Sequence, residues 1–149
     1  MYKCCIFDLD GTLVNSIYAI QKSVNDTLSY WNMREISVEE SRLYVGDGYK
    51  KLLERSLIAC GDKELAHYDE AVDRYQDIFR KCCMYRVEAY EGIRELLEFL
   101  KSQGILIAVL SNKPHHRTLD NVEGVFGKGY FNLVYGERED KGIRKKPCP

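Results

Sequence analysis

Six consecutive apolar residues, Ile105-Leu106-Ile107-Ala108-Val109-Leu110, follow directly on Gly104 and give way to Ser111-Asn112-Lys113-Pro114. Side chains alternate across a strand, so an apolar run without interruption predicts a strand covered on both faces, as in a parallel sheet between helices. Parallel neighbours need crossover connections, and the flanking sequence supplies them. Before the run, Ile93, Leu96, Leu97 and Leu100 recur at helical spacing, with Gly104 suited to the C′ position. After it, Pro114 fits the first turn of a helix through roughly Val122, and residues 131–135 predict a third short strand. Cys4-Cys5-Ile6-Phe7 predicts a strand over residues 3–7 at the start of the chain. The fold class this implies is α/β: a Rossmann-like parallel sheet with right-handed βαβ connections, strand 1 joining the strands near 105 and 131.

Residues 16–84 carry no strand signal and predict an inserted α-helical cap, leaving 1–15 and 85–149 as a discontinuous core. Ile17, Ile20, Val24, Leu28 and Trp31 fall three or four apart, one buried helical face. Ser37-Val38-Glu39-Glu40 has the serine and glutamate of a capping box. A further helix carries Leu52, Leu53, Leu57 and Cys60 on one side, and Asp62 is expected to cap a longer one bearing Leu65, Val72, Tyr75, Phe79 and Cys82. The cap is expected to act as a lid.

The chemistry is expected at the turn after strand 1, Asp8-Leu9-Asp10-Gly11-Thr12. Alternation places Asp8 and Asp10 towards one side, where two carboxylates repel unless a divalent cation sits nearby or one of them carries a proton. Gly11 permits a tight turn, and the Thr12 hydroxyl beside free backbone N–H groups suits phosphate. Open parallel sheets bind ligands beyond the carboxyl ends of their strands, which is also where Ser111 falls. A solvated strand-to-loop turn would account for Gly11 but not for paired acids at the end of an apolar strand.

Asp8-Leu9-Asp10-Gly11-Thr12-Leu13-Val14-Asn15-Ser16 resembles the first motif of the haloacid dehalogenase superfamily, in particular its phosphoglycolate phosphatase-like branch. The resemblance implies a nucleophile at Asp8, a general acid/base at Asp10, and Mg²⁺ held by the Asp8 carboxylate and the Asp10 main-chain carbonyl. Ser111-Asn112 resembles the second motif, whose hydroxyl and N–H groups hold phosphoryl oxygens; in isolation it would read as an ordinary turn or cap. Lys146-Pro147 resembles the third, a lysine that neutralises nucleophile and phosphate, with Lys145 as the alternative register. The activity implied is Mg²⁺-dependent hydrolysis of a small phosphorylated metabolite, a phosphoglycolate-like monoester, through an aspartyl phosphate. Dehalogenases usually lack the second acid, so Asp10 favours a phosphatase or a sugar-phosphate mutase.

The fourth motif of the superfamily, an acidic pair adding magnesium ligands, has no counterpart. Tyr44-Val45-Gly46-Asp47-Gly48 imitates its start but precedes the second strand and has Lys51 and Leu52 where the second acid belongs. It is expected to be a lid loop or a plain interhelical turn. The C-terminal strands of the core are therefore expected to be missing, with strand 1 left at a sheet edge open to oligomerisation. The alternative function is a non-catalytic remnant that binds phosphate or a protein partner.

Composition narrows the remaining classes. A net charge of −1 gives no field that would draw nucleic acid or an anionic membrane, and no apolar stretch is long enough to span a bilayer. The six cysteines show no metal-ligand spacing and predict reduced thiols, in keeping with a cytoplasmic protein. His115 and His116 are expected to be surface residues, since an aspartate mechanism needs no histidine.

Overall fold

The structure is a computed structural model in which residues 2–138, 141–142 and 145–147 are described. Arg144 and Cys148, beside the predicted phosphate lysine, lie outside the described residues. The chain divides into two compact units, Met1–Ser16 with Val87–Pro149, and Ile17–Arg86 between them.

The first unit opens with β1 (Cys4–Phe7) and, past a tight turn, β2 (Val14–Asn15). The helical unit follows, with α1 (Ile17–Leu28), a 3-10 turn over Ser29–Trp31, α2 (Val38–Tyr44), α3 (Tyr49–Ala59) and α4 (Tyr68–Cys82). α1 buries Ile17, Ile20, Val24 and Leu28 as its spacing predicts, together with Ala19, Ser23 and Thr27, whereas Trp31, expected on the same face, lies half-buried in the 3-10 turn. The buried hydroxyls of Ser23, Thr27 and Ser56 donate to the carbonyl four residues back, at 2.8, 2.7 and 2.8 Å, so small polar residues pack here without orphaned groups. The capping box forms as expected: the Ser37 hydroxyl accepts from the Glu40 N–H at 3.1 Å and the Glu40 carboxylate from the Ser37 N–H at 2.9 Å. Asp62 does not cap α4. Its carboxylate accepts the Ala66 and His67 N–H groups, both at 2.9 Å, closing a separate turn before the helix starts at Tyr68. Asp47, in the glycine-flanked loop, accepts from Arg55 at 2.5 Å.

The chain then returns through β3 (Glu88–Ala89), α5 (Ile93–Ser102), β4 (Leu106–Pro114), α6 (His115–Phe126) and β5 (Leu133–Glu137). Among the described residues the main sheet has the order β1-β4-β5, with both pairings parallel. β2 and β3 form a separate antiparallel ribbon, Val14 opposite Ala89, too short to leave a period in the sequence. Several expected boundaries move. β4 continues through Ser111-Asn112-Lys113 to Pro114 with a register shift after Leu110, α6 runs four residues past Val122, and β5 lies two residues later than predicted.

The expectation that the apolar strand is covered on both faces fails. Because the strand order advances in one direction, right-handed crossovers lay α5 and α6 on the same face. There Leu97, Val122 and Phe126 join Leu9, Leu13, Val14, Ile107, Val109 and Phe131 in one core. On the other face Ile6, Leu106 and Leu133 are 67%, 52% and 59% exposed. Leu96, expected to point inward, is exposed as well. Among the described residues no helix is long and apolar enough to cross a membrane.

Candidate active site

The turn after β1 hangs on Leu9, which is fully buried. Its carbonyl accepts N–H bonds from Thr12, Leu13 and Val14 at 3.3, 3.0 and 3.1 Å, and the Gly11 N–H donates to the Val14 carbonyl at 3.0 Å. Gly11 sits at φ +78°, a conformation that L side chains rarely adopt. The free N–H concavity expected at Gly11 and Thr12 therefore does not form, because the turn consumes those donors itself. Leu9 is turned inward, while Asp8 is exposed and Asp10 half-buried.

Each acid has its own lysine. Phe7 pairs with Val109, so Asp8 leaves β1 at the level where β4 reaches Leu110 and Ser111. Lys146 Nζ lies 2.8 Å from Asp8 Oδ1 and 2.7 Å from the Leu110 carbonyl, joining the two strand ends. Asn112 holds this lysine by its backbone: Asn112 Oδ1 accepts the Lys146 N–H at 2.7 Å and Asn112 Nδ2 donates to the Lys146 carbonyl at 3.0 Å. Asn112 was expected among the phosphate-binding residues; its carboxamide is engaged in placing Lys146.

Asp10 pairs with Lys113, which the sequence did not single out. Lys113 Nζ lies 2.9 Å from Asp10 Oδ1, and the Ser16 hydroxyl donates to the same oxygen at 2.5 Å. A lysine just beyond an apolar run reads as a surface residue. The missed signal was alternation continued past the run, since Ile107, Val109, Ser111 and Lys113 are all buried while Leu106 and Leu110 on the other side are not, though the small Ala108 between them is. Each carboxylate faces an ammonium, a stabilisation beyond the cation or shared proton that the sequence suggested.

Ser111 Oγ accepts the Lys113 N–H at 3.1 Å, which leaves the hydroxyl hydrogen to be donated. His115 departs from expectation. It is half-buried, its Nδ1 accepts the Gly136 N–H at 3.1 Å, and its ring leans on Tyr135, so it fastens β5 to the start of α6. His116 is exposed.

Among the described residues no three His, Cys, Asp or Glu side chains are grouped to hold a metal ion. Magnesium nevertheless accepts one or two carboxylates completed by waters and phosphate oxygens. The partly exposed Asp8 carboxylate, with one oxygen taken by Lys146, fits that mode.

The haloacid dehalogenase-like hydrolase family model matches residues 5–149. A phosphoglycolate phosphatase of Nitrosospira multiformis is 30% identical over 149 residues, which are 99% of this chain and 65% of that protein. One from Aquifex aeolicus is 32% identical over 151 residues, with the same shares of 99% and 65%. The chain thus spans somewhat under two thirds of the length of these curated relatives. Among solved structures, a candidate phosphoglycolate phosphatase from Lactobacillus delbrueckii subsp. bulgaricus superposes with a TM-score of 0.88 at 25% identity, over 99% of this chain and 69% of that one. With the family match running from inside β1 through the lysine that meets Asp8, the chain belongs to the haloacid dehalogenase-like hydrolase family.

Proposed function

We propose that the chain carries the nucleophile and acid of a Mg²⁺-dependent phosphatase that hydrolyses a small phosphate monoester of the phosphoglycolate kind. The observation that carries this reading is that each acid after β1 is held by a lysine tied to the carboxyl end of β4, Asp8 by Lys146 on the Leu110 carbonyl and Asp10 by Lys113, whose N–H donates to the Ser111 hydroxyl. The names of its relatives supply the leaving group.

In the reaction so read, Asp8 attacks phosphorus and the bond to the ester oxygen breaks, while Asp10 gives its proton to that oxygen. An aspartyl phosphate remains on Asp8. Asp10 then takes a proton from water, whose oxygen attacks phosphorus, and inorganic phosphate leaves with Asp8 restored. Lys146 and Ser111 supply a charge and a hydroxyl to the phosphoryl oxygens, and Asn112 keeps Lys146 in place. The Asp8 carboxylate and the Asp10 carbonyl would hold Mg²⁺, which would supply positive charge against the repulsion between anionic nucleophile and anionic substrate. We place the protein in the cytoplasm, in keeping with the reduced thiols of Cys4, Cys5, Cys60 and Cys82.

Phosphate release from phosphoglycolate, with and without Mg²⁺, tests the reading. Turnover should need the metal and should fall by more than about 10²-fold in Asp8→Asn. Undiminished turnover in that variant removes Asp8 as the nucleophile. The open face of the sheet favours a second reading, association through β1 and the exposed Ile6, Leu106 and Leu133.

A further inference from the structure

We propose that Lys113 is a positioning residue for Asp10, fixing Oδ1 as the anchored oxygen and leaving Oδ2 as the one that carries the transferred proton. This rests on the phosphatase reading for its chemistry, though not for its geometry.

The two lysines of the site differ in kind. Lys146 and Asp8 are 33% and 46% exposed in their side chains, a pair that water and substrate can reach. The Lys113 side chain is 6% exposed. An ammonium removed from water to that degree needs acceptors, and Asp10 Oδ1 remains one whether or not the other carboxyl oxygen carries a proton. The backbone of Lys113 is fastened on both sides as well. Its N–H donates to Ser111 Oγ at 3.1 Å, and its carbonyl accepts from the fully buried Thr118 hydroxyl at 3.1 Å. The same residue therefore sets the Ser111 hydroxyl through its amide and the Asp10 carboxyl through its ammonium.

The hydrogen bonds to Asp10 decide which oxygen works. Lys113, on β4, and Ser16, between β2 and α1, both donate to Oδ1, and two donors facing one oxygen leave no room for a proton on it. A protonated Asp10 then carries its hydrogen on Oδ2, the oxygen free to meet the ester oxygen and later the water. Without Lys113 the carboxyl turns about its side-chain bonds, and the proton is presented from a range of positions.

A purely structural lysine, one that only ties the turn to β4, would lower activity alike for every substrate. A positioning lysine would not. An alkyl phosphate such as glycerol phosphate expels a strongly basic alkoxide that needs the acid, whereas 4-nitrophenyl phosphate expels a phenolate that scarcely does. kcat/KM, which reports steps up to formation of the aspartyl phosphate, separates the two. Lys113→Met, which keeps the stem and removes the charge, should lose about 10²-fold on glycerol phosphate and less than about 3-fold on 4-nitrophenyl phosphate, with Asp10→Asn marking the full loss. Lys113→Gln, which keeps a donor, should recover part of the alkyl activity, and it carries the same comparison if the methionine variant does not fold. Equal losses on both substrates overturn the proposal.

Absence of Asp8-dependent turnover in the unmodified chain would sink the phosphatase reading alone. The placement is then decided by the carboxyl carbon resonance of Asp10, assigned by its loss in Asp10→Asn in protein with labelled aspartate. It should shift or broaden in Lys113→Met and Lys113→Gln if Lys113 fixes the carboxyl. An unchanged resonance overturns the proposal.

Discussion

Gly136 is the tightest point around the site. A Cβ there would stand 2.5 Å from His115 Cα, 2.5 Å from Thr118 Oγ1 and 2.7 Å from the Lys113 carbonyl oxygen, and two of those three atoms are backbone. Gly136→Ala should destabilise the protein by about 1–3 kcal/mol, read as a lower urea midpoint at unchanged slope. Asn112→Ala removes both bonds to the Lys146 backbone while leaving both acids in place. We expect inhibition by inorganic phosphate to weaken by about 10-fold, the equivalent of a hydrogen bond or two, with little change in stability. The site was legible residue by residue in uneven measure. Asp8 and Asp10 stand out because a carboxylate pair at the end of an apolar strand departs from its surroundings, whereas Lys146, in a basic run, was reached only through its resemblance to a family motif. Asn112 and Lys113 look ordinary, and their roles come from partners 34 and 103 residues away in the chain. No local pattern encodes those separations.

At the scale of elements, α2 is the one whose sequence states its own beginning. Arg34 donates to both carboxylate oxygens of Glu40, at 2.7 and 3.1 Å, and the Ser37 N–H donates to one of them, which together hold the Glu40 carboxyl down to about 2, against an ordinary 4.5. A folded pKa below the unfolded one means that this contribution is complete above pH 4.5 and is lost as the pH falls towards 2. Helix content followed by circular dichroism should decline over that window, and Glu40→Gln should flatten this part of the decline. Ser37→Ala should cost about 1 kcal/mol at neutral pH. α1, α2 and α3 were legible because their period or cap is written within one helix. The start of α4 was not, since Asp62 has the chemistry of a cap but spends it on a turn in which Leu65 takes φ +56°. The continuation of β4 was hidden because hydrophobicity stops at Leu110 while the backbone pairing does not.

For the molecule as a whole, the apolar run that predicts a parallel sheet cannot say which neighbours cover it. Coverage follows from strand order, and the order β1-β4-β5 brings both crossover helices to one face. What remains is an open face with Ile6, Leu106 and Leu133 exposed and β1 unpaired along one edge among the described residues. A net charge of −1 offers little repulsion between copies. Open edges and contiguous apolar surface favour pairing with another chain, so the protein should associate with rising concentration in sedimentation velocity. Leu133 is the position at which to test the face, because Ile6 lies two residues from Asp8 and its replacement would confuse association with catalysis. Leu133→Glu sets a charge on the open face at a site already 59% exposed, so unfolding stability should hold within about 0.5 kcal/mol. If the face carries the contact, that variant sediments as a monomer at concentrations where the unmodified chain does not. If association persists at the same concentrations, the contact runs along the edge of β1, and a lysine placed at Cys4, exposed on that strand, should break it instead.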